Sequence, residues 1–271
     1  MIYQTYRPRS PLSQFVEFFW YREADNLPKI QTRLLPIGAM ELVINLHEDT
    51  IPLFNQHNRI QCGSTNGSRI CGTHSQGFII ESDRQVSVIG VHFKPGGSIP
   101  FLPFPAGELH NQIVSLDQVW HHHAGELREI LLATPTLETR FLILEKFLIM
   151  MAQPPKRHPA VDFALREFKR SPESTLGALT DKIGLSTRHF NQLFRAQVGL
   201  TPKLFCRIQR LQQVLNLLTR KEQVDWSDVA LTCGYFDQAH FIHDFQTFGG
   251  CTPREYLKQR GFHPCHVVLT Y

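Results

Sequence analysis

Three groupings in this chain have residue types and spacings that could do chemistry: a histidine run, six cysteines, and a cluster of arginine and amide side chains. The run His121-His122-His123 offers three imidazoles. Adjacent residues on a helix point in different directions, so the run reads as solvated surface rather than a chelate. The cysteines at 62, 71, 206, 233, 251 and 265 form no Cys-x-x-Cys pair, which argues against a zinc ribbon or disulfide scaffold and fits a reducing compartment. Lys94-Pro95-Gly96-Gly97 is glycine-rich but lacks the spacing and the Lys-Ser/Thr ending of a phosphate loop. Glu48-Asp49 reads as a loop, and no Ser-His-Asp or Cys-His nucleophile set follows from the spacing. The cluster Arg188, Asn191 and Gln192 is different. A guanidinium can fork to guanine, and a carboxamide can pair with adenine, at roughly 1–3 kcal/mol of discrimination each.

Those three residues sit within a repeated unit. His189, Phe190, Phe194, Gly199, Thr201 and Pro202 recur 51 positions later as His240, Phe241, Phe245, Gly250, Thr252 and Pro253. At the same offset Lys203 becomes Arg254 and Phe205 becomes Tyr256. The spacing predicts a helix capped by Ser186, with Phe190, Leu193, Phe194 and Val198 on its apolar face and Gly199 at its end. Thr201-Pro202 then starts a long helix to Arg220, with Leu204, Ile208, Leu211, Leu215 and Leu218 buried. The second copy is capped by Asp237, carries Phe241, Phe245 and Phe248, ends at Gly249-Gly250 and restarts at Thr252-Pro253. Short amphipathic segments, Leu176 to Ile183 and Val229 to Cys233, precede the two copies, with Gly184 and Gly234 at sharp turns after them. Helix, glycine turn, helix is the helix-turn-helix pattern, here written twice.

The duplicated unit resembles the DNA-binding domain of the AraC/XylS family of transcription regulators. The resemblance rests on Gly234-Tyr235-Phe236-Asp237-Gln238-Ala239-His240-Phe241, then Phe245, Gly250 and Thr252-Pro253, and on the connecting helix Arg207 to Leu218. It covers about the last hundred residues. It implies two recognition helices in adjacent major-groove segments about one helical turn (~34 Å) apart. Arg188, Asn191 and Gln192 match the family's base-contacting positions. On the second copy the outward face is Gln238, Ala239, His240, Ile242 and His243, so Gln238, His240, Ile242 and His243 become base-contact candidates that read less tightly. His189 and His240 also fit a structural role, bonded to the neighbouring turn. Phosphate contacts fall to helix starts and basic residues: Ser186, Thr187, Arg195, Thr201, Lys203, Arg207, Arg210, Asp237, Thr252 and Arg254.

The rest of the chain has another character. It is 42% hydrophobic and 19% charged, with no apolar run long enough to span a membrane and no N-terminal signal pattern. Residues 1–155 hold 12 Lys/Arg against 14 Asp/Glu, whereas residues 156–271 hold 16 against 10. The basic half is the one expected to meet a polyanion. Apolar runs at Phe15 to Trp20, Glu41 to Leu46, Gly77 to Ile80 and Val86 to Phe93, punctuated by Gly and Pro, predict a small β-barrel or sandwich. Helices follow from Leu109 to Ala152, with Leu137, Phe141, Leu144, Phe147, Leu148 and Met151 along one face of the last.

Pro36 to Leu46, Gly90 to Pro103 and the segment Arg140 to Leu148 resemble a cupin-like N-terminal domain found on some AraC-type regulators. A metal-binding cupin wants His-x-His, a downstream Glu and a further His. Outside the 121–123 run no His-x-His occurs, and His47, His74, His92 and His110 are scattered. The expected organisation is thus α+β in two domains: residues 1–152 as a cupin-like sensor or dimerisation domain, a linker at 153–157, an all-α double helix-turn-helix at 158–262, and a tail at 263–271. The expected partner is double-stranded DNA. A small-molecule effector in the N-terminal domain, RNA polymerase and a second copy of the chain (monomer or homodimer) are further expected partners, with a cytoplasmic location and no metal, cofactor, membrane contact or catalytic role. The aromatic set Phe15, Phe18, Phe19, Trp20 and Tyr21 fits either a pocket lining or an ordinary core. Two alternatives stand beside this reading, a cupin-like enzyme fused to a DNA-binding module and an effector-independent DNA-binding dimer.

Overall fold

In the chain's first long strand, alternation assigns the two faces. The computed structural model describes residues 1–24, 28–84, 86–154, 157–170, 176–219 and 224–269. Expectations placed on Pro155, Lys156 and Arg220 lie outside the described residues. Strands β1 (Ile2–Tyr6), β2 (Val16–Glu23), β3 (Gln31–Leu34), β4 (Glu41–Asn45), β5 (Thr50–Phe54), β6 (Gln61–Asn66), β7 (Ser68–Cys71), β8 (Phe78–Glu81), β9 (Ser87–Phe93) and β10 (Ile113–Ser115) build the N-terminal half. They form a six-stranded sheet ordered β1-β2-β9-β4-β7-β10, the pair β5-β6, and a smaller sheet containing β3 and β8.

On the large sheet, Phe19 and Tyr21 of β2, Leu42 and Ile44 of β4, and Ile89, Val91 and Phe93 of β9 are buried against three helices. These are α1 (Asp117–Trp120), α2 (His122–Ala133) and α3 (Leu137–Met151). α3 buries Phe141, Leu144, Phe147 and Leu148, as its 3.6-residue spacing required, and Thr136 caps it by accepting from the Thr139 N–H. The other sheet face carries Phe18, Trp20 and Arg22, and it turns toward β3 and β8 across a cavity.

The C-terminal half comprises α4 (Pro159–Arg170), α5 (Leu176–Ile183), α6 (Thr187–Val198), α7 (Pro202–Leu218), α8 (Trp226–Thr232), α9 (Gln238–Gly249) and α10 (Pro253–Gln259), then β11 (His266–Val268). Its core runs from Val161 and Phe168 through Phe190, Phe194, Ile208, Leu211, Leu215, Phe241 and Phe245 to Tyr256. Leu204, expected in the core, is half-buried, while Phe205 and Val214 are buried in addition.

The last element lies in the segment expected to be a tail, 263–271, and part of that segment is a strand. β11 pairs antiparallel with β3 (His266↔Leu34, Val267↔Arg33, Val268↔Thr32), making the order β11-β3-β8. Without it β3 would be an edge with unpaired backbone groups, and Val267 would lose the site where it is fully buried. β1, β3, β5, β6 and β7 are not among the expected strands, and β10 falls in the stretch from Leu109 expected to be helical. β6, for instance, is mostly exposed and polar and is held by its pairing with β5.

Candidate nucleic-acid interface

The two repeat copies fold alike because their caps and stops are alike. The Ser186 hydroxyl accepts from the His189 N–H at 3.3 Å, and the Asp237 carboxylate accepts from the His240 N–H at 2.7 Å. Thr201 accepts from the Leu204 N–H and starts α7. Thr252 accepts from the Glu255 N–H, and Glu255 accepts from the Thr252 N–H and hydroxyl, a reciprocal capping box. Those hydrogen bonds hold the Glu255 carboxyl below its usual range. Gly199 (φ +90°) and Gly250 (φ +65°) end α6 and α9 in the left-handed conformation, where a side chain would be strained.

α6 buries Phe190, Phe194 and Val198 and leaves Thr187, Arg188, His189, Gln192 and Arg195 exposed, with Asn191 half-buried beside them. The candidate reading residues of the first copy thus share one outward face. α9 buries Phe241, Phe245 and Phe248. Gln238 and His243 are exposed, and Gln238 pairs with the Ser227 hydroxyl at 3.2 Å.

Two base-contact candidates on α9 have partners within the protein. Ile242 is half-buried and packs against the helical core. The His240 Nδ1 accepts from the Phe236 N–H at 3.4 Å, its Nε2 lies 4.0 Å from the Asp244 carboxylate, and its ring meets Tyr235 edge-on. These contacts are the ones the structural alternative for His240 calls for, and its side chain remains 40% exposed. Phe236, on the turn before α9, is 88% exposed and was not singled out as a contact residue.

The phosphate candidates divide similarly. Arg207 donates to both carboxylate oxygens of Asp244, at 2.7 Å from Nη2 and 3.2–3.3 Å from Nε, and lies over the Phe248 ring at 5.0 Å. Arg210 stands 3.8 Å from Asp244 and over the Tyr235 ring at 5.2 Å. Asp244 is 2% exposed. Its charge ties α9 to α7 through the bidentate Arg207, with Arg210 close by. Asp237 is spent on its cap and carries the same sign of charge as a phosphate. Ser186, Thr187, Arg195, Lys203 and Arg254 are exposed, and Thr201 is an exposed cap. Thr252 is half-buried.

The N-terminal half holds the C-terminal ends of both helices. The Arg33 Nη1 donates to the Gly249 carbonyl at 2.9 Å, where the α9 dipole is negative, and the Gly77 N–H donates to the Phe248 carbonyl. A Cβ on Gly199 would collide with the Thr73 hydroxyl, and one on Gly107 would come within 3.0 Å of the Arg195 carbonyl. The Gln212 Nε2 on α7 donates to the Pro36 carbonyl at 2.6 Å. The first turns of α6 and α9, which carry Arg188 and Gln238, lie some 16 Å farther along each axis from these contacts.

The histidine run differs from its sequence reading. His121 has φ +54° and breaks the chain between α1 and α2, so the three are not consecutive positions of one helix. His122, His123 and Glu126 gather on the exposed first turn of α2, their ligand atoms within 4.8 Å of one another, and the His123 Nδ1 lies 3.0 Å from Glu126.

Comparison with known proteins places these features. Residues 179–259 match the helix-turn-helix domain family, and residues 4–115 match a domain of unknown function, DUF6597. The HTH-type transcriptional activator RhaS of Escherichia coli (strain K12 / DH10B) is 31% identical over 83 residues. That match covers 31% of this chain and only 30% of the relative. Among solved structures, ToxT from Vibrio cholerae is similar in fold over 95% of this chain and 98% of its own, with TM-score 0.50 and 11% identity. A probable AraC family transcriptional regulator from Rhodopseudomonas palustris CGA009 matches 37% of this chain and 96% of its own, at 28% identity and TM-score 0.34. Among the described residues no helix is long and apolar enough to cross a membrane.

Proposed function

We propose that this chain, which belongs to the AraC/XylS family through its double helix-turn-helix domain, binds DNA by sequence and regulates transcription from the cytoplasm. The observation that carries the reading is the pair of capped helices, α6 and α9, each with an apolar face buried and a polar face outward, joined through one rigid helix. A helix of this kind fits the major groove with its N-terminal residues on base edges. In this reading Arg188, Asn191 and Gln192 specify the first half-site, and Gln238 and His243 read the second more loosely. Ser186, Thr187, Arg195, Thr201, Lys203, Thr252 and Arg254 contact phosphate and set the register without adding sequence preference. The N-terminal half senses a small molecule or pairs with a second copy, and it acts on the reading heads through its contacts with their C-terminal ends. RNA polymerase is then the partner that reads out DNA occupancy.

The test is selection of bound fragments from genomic DNA by the purified chain at physiological salt, followed by sequencing. Two unequal blocks about 10 base pairs apart are expected. Retention with no motif, lost on adding salt, would mean a nonspecific basic surface and would end the proposal.

A further inference from the structure

The cavity between the two sheets has a chemistry that the DNA-binding reading leaves unused. It has a volume of about 170 Å³ and is lined by β2, β4, β7 and β9 on one side and by β3, β8 and the residues around β11 on the other. Its position follows from register. Trp20, Gly90, Val43 and Arg69 are successive cross-strand partners on β2, β9, β4 and β7, so they form one row across the sheet. A Cβ on Gly90 would overlap the Trp20 indole, so glycine here lets the ring lie flat over β9. Phe18 stacks on His92 in the next row, at 4.8 Å and 3° between the rings.

The polar groups in this cavity are short of partners. Arg69 is 4% exposed and His74 is 6% exposed. The Arg69 Nη1, the Arg22 Nε, the Trp20 Nε1 and both His74 ring nitrogens are buried without a hydrogen-bond partner, although Arg69 also meets the Cys71 thiol and Arg22 as a whole is half-buried. Neither arginine has an ion pair among the described residues. The one acid in the lining, Glu41, is already 2.9 Å from the His92 Nδ1. The remaining titratable groups facing the space are Tyr3, Cys71, His263, Cys265 and His266, none of which supplies an anion at neutral pH in a buried, aromatic setting. Buried guanidiniums are kept in proteins where an anion meets them, because an unpaired buried charge is costly. A cavity of roughly 150 Å³ lined by apolar groups takes a benzene ring. The space here therefore suits one ring and a small charged group, and it is too small for a long chain.

We propose that this cavity binds a small organic anion of about one ring, its carboxylate received by Arg22 and Arg69 and its apolar body enclosed by Phe18, Trp20 and Phe78. The inference rests on the regulator reading for its consequence. The cavity wall includes Cys265 and His266, from the chain beyond the last helix, and Leu34 of β3. Strand alternation places Arg33, next to Leu34, on the opposite face, where it grips the end of α9. An occupant thus touches the strand and tail that hold the second reading head.

The experiment uses the full chain, thermal unfolding and titration calorimetry, with benzoate and cyclohexanecarboxylate as anions, benzamide as the neutral isostere, and sodium chloride as the ionic control. At about 100 times the dissociation constant the carboxylates are expected to raise Tm by roughly 5–10 °C, and benzamide and salt are not. Arg69→Met should fold and melt no lower than the parent, since it removes an unpaired buried charge, and it should lose the benzoate response. Arg22→Met gives the second reading, with at least tenfold weaker benzoate binding. Equal shifts by benzoate and benzamide, or no shift by either carboxylate, would overturn the anion assignment. The fragment selection described above, run on the same preparation with and without benzoate, separates the two claims. A two-block motif without any carboxylate response sinks the ligand and leaves the regulator, whereas absence of a motif under both conditions removes the regulator.

Discussion

Replacing Asp244 with alanine should loosen the second reading head from the connecting helix while the other core contacts remain. Asp244 is 2% exposed and faces Arg207 in a bidentate pair, with Arg210 at 3.8 Å. Removing one member of a buried pair costs about 3–5 kcal/mol, because the partner charge is left unsatisfied. The guanidiniums keep some solvent contact, with Arg207 at 28% and Arg210 at 20% side-chain exposure, and both keep an aromatic ring beneath them. The lower end, ~3 kcal/mol, is therefore expected, read as a fall in the urea midpoint with an unchanged slope. A double-mutant cycle isolates the pair: Arg207→Met with Asp244→Ala should cost at least ~1.5 kcal/mol less than the two changes summed, since neither charge is then left without its mate. In footprinting, protection of the second half-site should weaken before the first. Additive losses, or an Asp244→Ala variant within ~0.5 kcal/mol of the parent, would refute the idea that this carboxylate joins α7 to α9.

Three further outcomes follow from the same structure. Arg188→Ala should flatten base preference at one position by about 1–3 kcal/mol, whereas Lys203→Ala should weaken all duplexes alike and reduce the salt slope by about 1, both checked by binding to specific and random DNA across salt concentrations. Equal losses on both DNAs for Arg188→Ala would defeat the first part. Gly90→Ala should displace Trp20 at a cost of about 1–3 kcal/mol and abolish benzoate binding, with a changed tryptophan emission as the signature; unchanged emission would sink it. Burial lowers the His74 pKa to about 4 and the His266 pKa to about 3. The unfolded chain therefore binds more protons than the native one between pH 6.5 and 4, and stability falls as pH drops through that window, by roughly 3 kcal/mol for His74 alone. His74→Phe should flatten that slope in urea unfolding at stepped pH, and an unaltered slope would assign the loss elsewhere.

Local chemistry was enough to write the C-terminal half into the sequence. Ser186, Thr201, Asp237 and Thr252 cap the next turn's N–H groups, and Gly199 and Gly250 adopt the left-handed conformation that ends a helix. These signals act within four residues, so they survive without knowledge of the fold. The outward face of α6 followed from the spacing of Phe190, Leu193, Phe194 and Val198, of which Leu193 is half-buried. What the sequence could not give was the company each side chain keeps. Arg207, Arg210 and His240 have types and positions suited to DNA, yet Asp244 claims or approaches all three across 37, 34 and 4 residues of chain. Ile242 sits at an outward-looking position but closes the core. Strands such as β3 and β11 carry little periodicity and exist because each supplies the other's missing hydrogen bonds from opposite ends of the chain. The cavity belongs to the same class. Phe18, Trp20 and Arg22 alternate visibly along β2, but only the sheet register sets Arg69 and Gly90 in the row of Trp20, and only the returning tail encloses them. Short-range hydrogen bonding is encoded residue by residue, whereas long-range pairing and burial are properties of the whole packed chain.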